Sequence, residues 1–187
     1  MHIKHKNQNM PPLSVVKERI SYDPKSGSFA WRNCGMVTFS DERSWKSWIT
    51  RFAGQPAGRD SRGYVGLRIF YHGKQYEMMG HRVAWALAKG DWPDGEIDHI
   101  DGQRANNKIE NLRLATHTEN QRNKGIMATN KSGCKGVHQH SQNGNWIAQI
   151  RIGGRVRHLG AFDSPDEAAI AYRTAADKYH HEFARHA

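Results

Sequence analysis

The stretch from Gly63 to Arg82, GYVGLRIFYHGKQYEMMGHR, alternates apolar and polar residues on either side of a His-Gly-Lys turn, and no other feature constrains the fold so much. Val65, Leu67, Ile69 and Tyr71 fall on one face, and Tyr64, Arg68 and Phe70 on the other. The Gly-containing turn lets the two runs pair as a hairpin. Next, HRVAWALAKGDWPDG reads as a helix that turns Val83, Ala84, Leu87 and Ala88 inward and stops at Gly90. Small hairpins alternating with short helices predict an α+β fold.

The flanking segments extend this pattern. Residues 1–11 are polar and basic without periodicity and are expected to be a mobile tail. A short helix with Leu13, Val16 and Ile20 is expected next, then a DPKSG turn and a strand starting at Phe29. The 33–58 segment is ambiguous; its Trp45, Trp48 and Phe52 have near-helical spacing and are read as packing residues. Residues 125–132, low in hydrophobicity, read as a linker. A second unit over 133–187 is predicted to have strands at 135–139, 145–152 and 155–161. Its helix begins at Ser164, with Pro165 in the first turn and Glu167 placed for a capping box. Ala168, Ala169, Tyr172, Ala175, Ala176 and Tyr179 form the stripe that would lie on a three-stranded sheet.

Composition narrows the partners. The 187 residues carry 28 Lys and Arg against 18 Asp and Glu, a net charge of +10, which favours a polyanion. Mean hydropathy is -0.84, and neither a bilayer-length apolar run nor a signal-like segment is present, so no membrane partner and a cytoplasmic location are expected. Cys34 and Cys134 lack a Cys-x-x-Cys partner and read as free thiols. Nucleic acid is the leading candidate.

The window GEIDHIDGQRANNKIENLRLATHTENQRN, residues 95–123, puts an adjacent acid and imidazole together with five Asn. Such side chains bury poorly and make weak helices, so the window is either a solvated loop or a site. If EIDH and LRLAT are strands flanking a loop, and HTENQRN opens a helix capped by Thr116 or Thr118, Asp98 and Asn120 can offer oxygens to one divalent cation. Two oxygen ligands plus water suit Mg²⁺ or Mn²⁺ better than zinc. His99 is then left to deprotonate a water, and Asn111, twelve residues on, could brace the loop. Asn106 and Asn107 read as turn formers.

These residues resemble the HNH endonucleases, specifically the branch of phage and intron-encoded homing enzymes. The similarity extends through YDPKSGSFAW, GYVGLRI and HRVAWALAKGDWPDG, covering roughly residues 20–124. The resemblance implies a ββα-metal active site, with Asp98 and Asn120 as metal ligands, His99 as general base and Asn111 as the loop brace. Many members have His where this chain has Asn120. Arg68, Arg82 and Arg113 are assigned to DNA contact, although Arg82, with His81, also suits a structural role and Arg113 a solvated strand position. His117 suits either substrate contact or a cap.

In NWIAQIRI, alternation sends Trp146, Ala148, Ile150 and Ile152 to the helix side and Asn145, Ile147, Gln149 and Arg151 to the other. A sheet presenting Lys135, His138, Gln149, Arg151 and Arg155 can enter a major groove, where Arg reads guanine and Gln reads adenine. GVHQHSQNGNWIAQIRIGGRVRHLGAFDSPDEAAIAYRTAA resembles the Apetala-type DNA-binding domain of plant ethylene-response factors. That resemblance implies contacts at Lys135, His138, His140, Asn145, Gln149, Arg151, Val156 and His158. Arg157 stands where that family keeps an aliphatic residue, which puts the register of the third strand in question.

The reading is a two-domain DNA endonuclease: a nuclease domain over 12–124 and a DNA-binding domain over 133–187, acting on double-stranded DNA with one Mg²⁺ or Mn²⁺ and no small-molecule cofactor. The competing reading is a sequence-specific DNA-binding regulator whose nuclease half is inactive; a non-specific defensive nuclease is a third. Nicking or double-strand cutting, and monomer or homodimer, stay open.

Overall fold

The computed structural model describes residues 9–36, 39–126, 129–142 and 144–186; residues 1–8 of the expected tail and 127–128 of the expected linker lie outside them. The chain forms two compact units, Met1–Ala115 and Thr116–Ala187. The architecture is α+β, with small antiparallel sheets and short helices. Among the described residues, no helix is long and apolar enough to cross a membrane.

In the first unit, α1 (Leu13–Arg19) runs into a hairpin of β1 (Ile20–Tyr22) and β2 (Phe29–Trp31). Ile20 opens β1 instead of continuing the helix, because its extended backbone (φ -125°, ψ 126°) pairs it with Trp31. The helix α2 (Glu42–Phe52) is capped by Asp41, whose carboxylate accepts from Ser44 N at 2.7 Å. None of its residues is fully buried. Trp48 and Phe52 pack on Trp31, and Trp48 also on Phe39, in a satellite aromatic cluster outside the main core.

The alternating stretch forms β4 (Tyr64–Tyr71) and β5 (Lys74–Met79), with β3 (Arg59–Ser61) on the outer edge of β4. His72 and Gly73 both adopt positive φ, the mirror-image turn that matches strand twist. Leu67 and Ile69 are buried under α3 (Gly80–Lys89), which ends at Gly90 in the left-handed conformation. Ala86 is buried in place of the expected Ala88, which is exposed. Val16, Ile20, Phe29, Leu67, Ile69, Val83 and Ala84 make one core with Ile97 of β6 (Glu96–His99) and Leu112 of β7 (Leu112–Ala115). That core is the floor beneath the polar window.

The second unit opens with α4 (His117–Arg122). Thr116, not Thr118, is its cap: Thr116 Oγ1 accepts from Glu119 N, while Glu119 Oε2 accepts from Thr116 N at 2.8 Å. A three-stranded sheet follows, with β9 (Trp146–Ile152) between β8 (Val137–Gln139) and β10 (Arg155–Phe162). The helix α5 (Pro165–His180) lays Ala168, Ala169, Tyr172, Ala175 and Ala176 on Val137, Ala148 and Ile150. Ser164 caps it through Glu167 N at 3.2 Å; among the described residues only this half of the expected box is formed. The register question at Arg157 resolves into a bulge between His158 and Gly160, which turns Leu159 onto the α5 core while Arg157 pairs with Ile150.

Candidate active site

The first unit contributes a hairpin and the loop that joins its strands. In β6, Ile97 and His99 point to one side and Asp98 to the other, by the two-residue strand period. The pairing sets Asp98 opposite Arg113 and His99 opposite Leu112. Arg113 Nε donates to Asp98 Oδ2 at 2.9 Å, and its Nη2 lies 2.8 Å from the same oxygen. The two side chains are only 14% and 5% exposed. Arg113 is thus neither solvated nor spread on the surface for a phosphate: its guanidinium is committed to Asp98, because a buried carboxylate needs a counter-charge.

His99 is buried against an aromatic wall. The His81 ring meets it edge-on with centroids 5.1 Å apart, and Tyr64 lies 6.0 Å from it. Asn107 Oδ1 faces His99 Nε2 at 3.4 Å. Burial holds the imidazole below its ordinary range, against the opposing pull of Asn107, Asp101 and Asp98. At neutral pH the ring is therefore neutral and able to accept a proton. His81 is pushed down to about 3 by burial, with the neighbouring His99 and Arg82 adding to the effect, and among the described residues its Nδ1 has no hydrogen-bond partner.

The loop between β6 and β7 is held by its own amides. Asn111 Oδ1 accepts from Asp101 N at 3.1 Å, and Asn111 Nδ2 donates to Asp101 Oδ1 at 3.0 Å and to Asn106 O at 2.9 Å. Asn106 Nδ2 donates to Asp101 Oδ2 at 2.7 Å. Burial would raise the Asp101 carboxyl, yet the bonds from Asn106, Gln103 N and Asn111 outweigh it and hold the carboxyl low. Asn107 is 1% exposed; Tyr22 Oη donates to its carbonyl at 2.7 Å. Gly27 lets the chain approach here: an added Cβ would lie 2.6 Å from Lys108 N. Each Asn supplies both a donor and an acceptor, which explains why an Asn-rich loop can be internally satisfied.

The sequence reading missed Asp101 and the contact of Asn107 with His99. A turn-forming Asn and a site Asn look alike locally; only Tyr22, 85 residues away, shows that Asn107 is buried. Arg82, assigned to DNA, donates to Gly95 O at 2.9 Å and Pro93 O at 3.0 Å, which ties α3 to the entrance of β6. Arg68 donates to Glu77 Oε1 at 2.6 Å on the exposed face of the hairpin.

In the second unit, Asn120 lies on α4, its backbone N–H bonded to Thr116 O at 3.0 Å. Directly paired residues of an antiparallel sheet share a side. His138, Gln149, Arg151, Val156 and His158 therefore lie on the side away from α5. Arg155 pairs with Ile152 and points to the α5 side, which corrects its placement beside Gln149 and Arg151. Lys135 is also displaced from that surface: its Nζ donates to Arg122 O, and to Lys124 O at 2.6 Å. His140 accepts from Gln142 N through Nδ1 at 3.3 Å, and its backbone N–H donates to Asn145 O at 2.7 Å, so these two residues shape the β8–β9 turn.

The carboxylate of Asp98 and the amide oxygen of Asn120 are each donors of the kind a hard divalent cation takes. Among the described residues no group of three or more His, Cys, Asp or Glu is placed to form the cage a softer ion would need.

A family model described as HNH endonuclease matches residues 79–122, the span from the start of α3 to the end of α4. Protein 3.8 of Escherichia phage T7 is 35% identical over 106 residues, which is 56% of this chain and 87% of the phage protein. Uncharacterized HNH endonuclease L560 of Acanthamoeba polyphaga mimivirus is 36% identical over 110 residues, 58% of this chain and 56% of the viral one. With a buried Asp-His pair on a hairpin, an amide-braced loop and a capped helix in that order, residues 79–122 of the chain carry an HNH endonuclease domain.

Proposed function

We propose that the protein is a homing-type HNH endonuclease that hydrolyses phosphodiester bonds in double-stranded DNA with Mg²⁺ or Mn²⁺. The observation that carries this reading is the state of His99: a buried, neutral imidazole faced by Asn107 and held against His81 and Tyr64, on the hairpin that also carries Asp98. Its role is general base, taking a proton from the attacking water. Asp98 and Asn120, by their order and spacing in the chain, are the metal ligands. The bound cation supplies positive charge beside the phosphate oxygens. Arg113 is a positioning residue that orients the Asp98 carboxylate. Asn111 and Asp101 keep the loop rigid so that His99 does not drift.

The sheet of the second unit is proposed to be an Apetala-type reader of DNA, with His138, Gln149 and His158 toward the bases and Arg151 beside them on the same side of the sheet. Support comes from its polar outer side, a stripe of small residues beneath and a net charge of +10. Supercoiled plasmid incubated with Mg²⁺ or Mn²⁺, with and without chelator, tests the reading. Cleavage that needs the metal supports it. Tight binding with no cleavage under any metal would instead make the protein a DNA-binding regulator.

A further inference from the structure

The three residues of β8 pair only with Trp146, Ile147 and Ala148, so the later half of β9 loses its neighbour on that side after Gln149 N meets Gly136 O at 2.9 Å. A groove of about 480 Å³ opens there, between β9 and α4. Its walls include His117, Arg122, Lys135, Gln149, Arg151 and His180. His180 Nε2 reaches Arg151 O at 3.1 Å and occupies the position a longer β8 would have taken. Lys135 closes the back of the groove against the last carbonyls of α4.

The charge of this groove is one-sided. Among the described residues, three cations and two histidines line it and no carboxylate does. Arg122 Nε is buried and donates to no acceptor among the described residues. The Arg151 guanidinium makes a long contact of 3.4 Å to Gly154 O. Burial, with Arg185 nearby, pulls the Lys135 amine down to about 8, so added positive charge is already costly here and an anion would relieve it. Two planar guanidiniums with donors to spare suit a tetrahedral, doubly exposed oxyanion. The mouth of the groove carries Gln149, Arg151 and Val156, the side of the sheet that faces away from α5.

We propose that this groove seats a backbone phosphate of the bound duplex between Arg122 and Arg151, so that one strand is gripped jointly by α4 and the sheet. The proposal rests on the DNA-binding reading above and adds a site whose role is affinity, not sequence choice. Duplex binding is measured in chelator, where no cleavage intervenes, over a series of salt concentrations. Arg122→Gln and Arg151→Gln are each expected to flatten the plot of log affinity against log salt by about 0.9 and to weaken binding to unrelated duplexes equally. Arg122→Lys restores the slope, and Lys178→Gln, a charge loss on α5 outside the groove, leaves affinity through the groove intact. Unchanged slopes in both Gln variants overturn the groove while leaving DNA binding in place. Displacement of the duplex by poly-glutamate of equal charge would assign the groove to a carboxylate partner and overturn the phosphate. A wild-type protein that binds no duplex overturns both this site and the reading beneath it.

Discussion

Asp98 and Arg113 face each other across β6 and β7 with nearly all their surface withdrawn from water. Removing only the cation strands a buried carboxylate, which costs about 3 kcal/mol or more. Arg113→Met is therefore expected to lower the unfolding free energy by that order, read as a drop in the urea midpoint with unchanged slope. His81 gives a second test. Its folded value is about 3 against an ordinary 6.5, so the unfolded chain takes up the proton first as pH falls. Its contribution to stability is complete above pH 6.5 and is lost progressively toward pH 3. His81→Phe, which keeps a ring against His99, should flatten the fall in melting temperature over that window; a fall as steep as in the wild type would contradict the assignment. Asp98, His99 and Asn111 stood out as candidates because their chemistry is unusual at that spacing, and the structure buries all three. Asp101, Asn107 and His81 were not, since their environments are made by Tyr22, Gly27 and Tyr64 from distant parts of the chain.

At the scale of elements, period-two alternation located β4, β5 and β9, and glycine located the turn and helix stop between them. What alternation could not supply is the register between strands. Arg155 was placed on the groove-facing side with Gln149 and Arg151, but the two-residue Gly153-Gly154 turn pairs it with Ile152 and so sends it to the other side. The bulge at Leu159 has the same origin: it allows Arg157 upstream and Gly160 downstream both to face Ile150 and Ala148 while Leu159 reaches the core. Gly136 offers the sharpest test of this unit. It has φ +71°, and a Cβ there would lie 2.1 Å from the Tyr172 ring and 2.7 Å from Gln149 O. Gly136→Ala is expected to destabilise the protein by about 2 kcal/mol or more, since neither the backbone nor the packed ring can yield cheaply. A melting temperature within a degree of the wild type would show that β8 and α5 are not packed in this way.

For the whole molecule, composition pointed to a polyanion but could not divide the chain. The polar run at 125–132 suggested a joint there, whereas compact packing divides the chain between Ala115 and Thr116. The cause is long-range: Lys135 and Arg185 take up the carbonyls of Arg122, Asn123 and Lys124, which attaches α4 to the sheet unit that follows it. A net charge of +10 predicts that duplex affinity falls roughly a thousandfold or more between about 50 and 200 mM salt if about six to ten phosphates are contacted. The central claim is that His99 does the chemistry and not the binding. Cleavage and duplex affinity, measured side by side for the wild type and His99→Ala with Mg²⁺, test it most directly. The account predicts a loss of about 10²–10⁴ in cleavage rate with affinity nearly unchanged. Wild-type cleavage by His99→Ala, or a matching loss of affinity, would contradict it.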